Sequence, residues 1–96
     1  MHQDEWQGFV PMLEAAKRKV IFFWLTHSYL RRIAKRYPEY FERWINDLTD
    51  SYNARKVMKL RYIDNKKFEV VALDMGVDIS FVFRLHKKVL ENIIGY

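Results

Sequence analysis

The chain of 96 residues contains no cysteine. That excludes a disulfide framework and any cysteine-ligated metal centre, and it fits the cytoplasmic location expected here. Glycine is scarce, with three in the chain, and no glycine-rich phosphate loop can be built from them. The three histidines, His2, His27 and His86, stand far apart and make no HxxxH or HExxH spacing. Most carboxylates have a Lys or Arg nearby, which suits surface ion pairs better than a convergent acid–base site. The expectation is therefore a protein that is not an enzyme, with no cofactor and no metal. Long apolar runs are missing too. The longest, Val20 to Leu25, is six residues, whereas a membrane-spanning helix needs about 20. No membrane partner is expected. The opening MHQDEWQGF is acidic and has no apolar stretch close behind it, so it does not read as a signal peptide.

What the chain does have is apolar and aromatic mass, 50% and 17% of its residues. That is enough to build a core, and it argues against wholesale disorder. The length suits one domain or a domain with an arm. Net charge is +5, unevenly placed: residues 1–50 hold 8 Lys/Arg against 7 Asp/Glu, and residues 51–96 hold 9 against 5. A basic excess suits a polyanion such as DNA, although many proteins of this charge bind none.

The pattern is helical nearly throughout, with no convincing strand, repeat or low-complexity tract. Trp6, Phe9 and Val10 suggest a short helix or ordered arm. Pro11 suits a first helical turn, and a helix is expected from Met12 to about Arg36. Leu13, Ala16, Val20, Phe23, Leu30, Ala34 and Tyr37 make one apolar stripe, interrupted by His27, and Phe22, Leu25, Tyr29 and Ile33 make a second beside it. A face this wide needs a cover, either the following helices or the same helix of a second subunit. A homodimer through the helix 12–37 is thus an expectation. His27 reads as a core histidine, with a register-fixing group at a dimer seam as the alternative. Lys17–Lys19 and the cluster Arg31, Arg32, Lys35 and Arg36 read as a solvated face, able to add phosphate contacts if the helix lies beside DNA. Pro38 interrupts this helix. Tyr40, Phe41, Trp44, Ile45 and Leu48 define the next, and Trp24, Trp44 and the other aromatics read as core.

Thr49-Asp50-Ser51 is a helix-capping cluster. It marks the expected boundary between residues 1–48, an aromatic-rich helical region for packing or dimerisation, and residues 49–96. A helix from about Tyr52 to Ile63 follows, ended by Asp64-Asn65-Lys66, since Asn tolerates the left-handed conformation at a helix end.

The strongest signal is Phe68 to Lys88. Ala72, Gly76 and Val82 have the spacing of a helix-turn-helix: a small residue where the helices cross, a glycine in the turn, and a β-branched residue packing back. Val71, Met75, Val77 and Leu85 are apolar where the small core between those helices needs them. The bland alternative is a helical hairpin with no ligand. The two motif helices are expected at roughly Lys67–Met75 and Ile79–Ile93. The fold class is therefore all-α, a small bundle of about five helices ending in a helix-turn-helix. In such a motif the second helix enters the major groove of duplex DNA. Its outward positions are Asp78, Ser80, Phe81, Phe83, Arg84, Lys87 and Lys88. Arg84 has the geometry to pair with guanine, Ser80 to reach a base or phosphate, and Phe83 to pack on a thymine methyl. Lys87 and Lys88, with Arg55, Lys59, Lys66 and Lys67, suit phosphates. Asp78 reads as a helix cap, because phosphate would repel its carboxylate. Phe81 is open between packing and the groove.

From Leu48 onward the sequence resembles region four of sigma-70-type bacterial sigma factors, and more closely the small phage and prophage regulators of Gram-positive bacteria that carry the same module. The matching residues are Leu48, Arg55, Val57, Leu60-Arg61-Tyr62-Ile63-Asp64, Val71-Ala72, Met75-Gly76-Val77, Val82-Phe83-Arg84-Leu85-His86-Lys87-Lys88 and Leu90. The resemblance covers about half of the chain. It implies promoter DNA recognition, with or without contact to RNA polymerase, and Ser80, Arg84, Lys87 and Lys88 as the readers. Residues 1–47 match no sigma domain that binds the −10 element or core polymerase. Phe68-Glu69-Val70 keeps one acid where the module often has two, and Val70 points to an extra packing surface. Phe81 and Phe83, with the aromatic N-terminal half, also suit a module that docks on RNA polymerase or another regulator with little DNA binding of its own.

Overall fold

The computed structural model describes residues 23–95, with side chains from 28 to 93. Helices α1 (Phe23–Arg36), α2 (Pro38–Leu48), α3 (Tyr52–Met58), α4 (Phe68–Met75) and α5 (Ile79–Gly95) make an all-α bundle with no strand among these residues. A π-helical turn, Lys59–Ile63, continues α3. The expected arm, the helix start near Pro11 and the side chains of Lys17–Lys19, Trp24 and His27 lie outside the described residues.

Local chemistry sets each break. Tyr37 leaves helical geometry at φ −133°, and Pro38 takes the first position of α2, where its missing N–H has no partner to lose. Lys35 and Arg36 in the last turn of α1 complement its dipole. Ser51 caps α3, its Oγ accepting from the Ala54 N–H at 3.2 Å. Asn65 adopts the left-handed conformation at φ +57°, as its residue type suggests. Gly76 does the same at φ +67°. The N–H groups of Gly76 and Val77 donate to the carbonyls of Leu73 and Ala72 at 3.2 and 3.0 Å, so α4 ends in a Schellman turn.

Two apolar clusters hold these elements together. The larger joins Leu30, Ile33 and Ala34 of α1 and Phe41, Trp44 and Ile45 of α2 to Met58, Tyr62, Val89, Leu90 and Ile93. Each large side chain buried there contributes roughly 1.5–3 kcal/mol. The smaller cluster, Val57, Val71, Ala72 and Val82 with Met75, Val77 and Leu85 at its edge, is the helix-turn-helix core that the spacing predicts. The helices break at Thr49, and one apolar core crosses that break. From Leu30 onward the apolar face of α1 is covered by α2 and the π turn of the same chain.

Candidate nucleic-acid interface

The turn after Gly76 aims α5 away from α4, and the apolar residues of α5 decide which of its faces is left over. Val82, His86, Val89, Leu90 and Ile93 are buried. Ser80, Phe83, Arg84, Lys87 and Lys88 fall on the opposite side and are exposed. The structure therefore brings together, on one helical stripe, the groove-facing candidates Ser80, Phe83, Arg84 and Lys87 with the phosphate candidate Lys88. Arg84 lies over the ring of Phe81 at 5.9 Å, and Phe81 is half-buried. Phe83, 47% exposed, also rests on Phe68 with ring centroids 5.0 Å apart, so it is partly held by α4.

Asp78 is the cap that the sequence suggests. Its Oδ1 accepts from the Ser80 N–H at 2.8 Å, and hydrogen bonds from the Ser80 side chain and backbone hold its carboxyl below the usual carboxylate range. The anionic end of α5 is thereby fixed beside the helix N-terminus.

The remaining phosphate candidates separate. Lys59 and Lys67 are exposed. Lys66 pairs with Asp74, and that hydrogen bond raises its ammonium above the usual value. Arg55 departs from expectation. Its Nε donates to the Thr49 carbonyl at 2.8 Å and Nη2 to the Asn46 carbonyl at 2.9 Å, with Asp50 at 3.8 Å. It closes the C-terminus of α2, where carbonyls have no helical partner, and is not held out toward a phosphate. Arg55 and Lys59 also line a groove of about 370 Å³ between α2 and α3 with Phe41, Ile45 and Leu60.

Three contacts that tie α4 and α5 to the bundle escape a reading of local pattern. Tyr62 hydrogen-bonds His86 in the core. Asn92 Nδ2 donates to the Leu48 carbonyl at 3.0 Å, tying α5 to the end of α2. Arg61 is buried at 8% exposure, stacked over Phe68 at 4.6 Å. The one available signal was periodicity: His86 stands four residues after Val82 and three or four before Val89 and Leu90, which places it on the buried stripe. Among the described residues, no group of three His, Asp or Glu side chains could hold a metal ion, and no helix is long and apolar enough to cross a membrane.

The chain matches no protein-family profile, no curated protein and no solved structure.

Proposed function

We propose that this chain is a sequence-specific DNA-binding transcriptional regulator of the small phage type, with α5 in the major groove. The observation that carries this reading is the exposed stripe Ser80–Phe83–Arg84–Lys87–Lys88 on the second helix of a motif whose turn is closed by a left-handed Gly76. Arg84 and Ser80 supply base contacts, Phe83 an apolar contact, and Lys87 and Lys88 phosphate contacts. The +4 excess of residues 51–96 adds attraction for the duplex. Selection of bound duplexes from a random pool tests the reading. A single enriched motif is expected. Recovery of unenriched sequence, with uniform weak affinity, would reject sequence-specific recognition.

A second reading has its own observation. Leu73 is 79% exposed and Val70 is 38% exposed on α4. Apolar surface beside a helix-turn-helix suits a protein partner, and RNA polymerase or another regulator is the class that the sigma-like resemblance implies. Pull-down of polymerase by the wild-type chain, lost in Leu73→Lys, together with no retention on DNA, would favour this reading over the first.

A further inference from the structure

A cleft of about 520 Å³ lies between the C-terminal half of α1 and the π turn. Arg31, Lys35, Pro38, Tyr62, Ile63 and Asn65 line it. Both charged residues in that lining are cations. They stand four residues apart on α1, where like charges destabilise a helix. Among the described residues Lys66 pairs with Asp74, and Arg55 lies 3.8 Å from Asp50. Arg31 and Lys35 have no carboxylate partner among the described residues.

A third cation stands nearby. Arg61 neighbours Tyr62 on the π turn, with Nη1 donating to the Lys66 carbonyl at 3.0 Å and Nε buried without a hydrogen-bond partner. Burial first, and the charge of Arg31 second, lower its pKa, while Glu69 opposes them more weakly. The π turn is itself a departure from regular helix of a kind that gathers at functional sites. The cleft is of ligand size, and its lining combines apolar side chains with the cations Arg31 and Lys35.

We propose that this cleft binds a phosphate-bearing anion of pyrophosphate size or larger, gripped by Arg31 and Lys35 with the Asn65 amide at its edge. The guanidinium of Arg31 suits two oxygens of one phosphate, and the Lys35 ammonium adds a point charge. The site is separate from the α5 stripe and stands whether or not α5 reads DNA. Its phosphate has two sources, a free polyphosphate such as a nucleotide or the backbone of a duplex that reaches α1.

Titration of the full chain with pyrophosphate, at ionic strength held constant with chloride, tests it. A saturable rise in the thermal midpoint is expected, distinct from the non-saturating stabilisation that excluded salts give. The variant Arg31→Ser/Lys35→Ser should weaken pyrophosphate binding roughly tenfold or more. Both positions are exposed, so its circular dichroism should match wild type; if it does not, Arg31→Gln/Lys35→Gln takes its place. A free-anion site leaves duplex binding unchanged by pyrophosphate and by the variant. A backbone site shows pyrophosphate displacing duplex, and the variant lowers the salt slope by about 2. Absence of saturable pyrophosphate binding together with an unchanged salt slope would overturn the proposal.

Discussion

The Tyr62 hydroxyl lies 2.6 Å from Nε2 of His86, in a buried hydrogen bond that spans 24 residues of sequence. The two rings stack with centroids 5.7 Å apart, and Phe68 meets the imidazole edge-on at 5.0 Å. One residue belongs to the π turn, one to α5 and one to the start of α4. The orientation of α5 is therefore referred to the bundle through a polar contact as well as through apolar packing.

Tyr62→Phe keeps the ring and removes that hydrogen bond. It should cost about 1–2 kcal/mol in urea denaturation, the usual range for a buried partner lost. The phenol also carries a pH dependence. Burial pushes its pKa above the ordinary value near 10, against a smaller opposing pull from Arg61 and Arg31. Above pH 10 the unfolded chain releases this proton while the folded chain keeps it, so the native state binds more protons and stability falls as pH rises. The wild type should lose stability more steeply than Tyr62→Phe above pH 10. Parallel slopes in the two proteins would contradict the assignment.

Gly76→Ala isolates a backbone effect. An added Cβ would meet nothing within 4 Å, so no clash confuses the result. The cost is that of holding an L-residue at φ +67°, about 1–2 kcal/mol. The denaturation midpoint should drop accordingly, with the m-value unchanged because the surface exposed on unfolding is the same. A neutral substitution would mean that the turn is not held in the left-handed conformation.

Arg55→Met separates a structural arginine from a phosphate contact. The side chain gives two hydrogen bonds to carbonyls at the end of α2. Their loss should lower stability by about 1 kcal/mol, given that the residue is only half-buried. The salt slope of duplex binding should stay the same. A slope reduced by about 1 with stability intact would return Arg55 to the phosphate contacts.

Arg55 also shows where sequence reasoning reaches its limit. Positions governed by their own backbone were legible: Gly76 and Asn65 are left-handed because residue type controls that choice locally. Ala72, Val82 and Leu85 were legible because a fixed spacing places them between two adjacent helices. Arg55 was not, since its cationic chemistry suits a phosphate and a helix C-terminus equally, and only the tertiary course of α2 decides between them. The same holds for Asn92 against Leu48, 44 residues apart, and for the core that crosses Thr49. The exposed stripe on α5 lies between these cases. Its burial pattern follows from periodicity, while what it contacts depends on chemistry outside the chain.

Arg84 and Lys87 lie on the same exposed stripe of α5, three residues apart, and they should fail differently. A guanidinium that pairs with O6 and N7 of guanine distinguishes that base from the other three, so Arg84→Ala should weaken the selected site by about 1–3 kcal/mol and relax preference at one position. An ammonium on a phosphate distinguishes no base. Lys87→Ala should weaken every duplex alike and reduce the salt slope by about 1. Fluorescence anisotropy over a salt series, on the selected site and on a scrambled one, measures both quantities. Uniform weakening in Arg84→Ala would make it a phosphate contact and move the reading face toward Ser80 and Phe83. Unchanged binding in both variants would remove α5 from the interface.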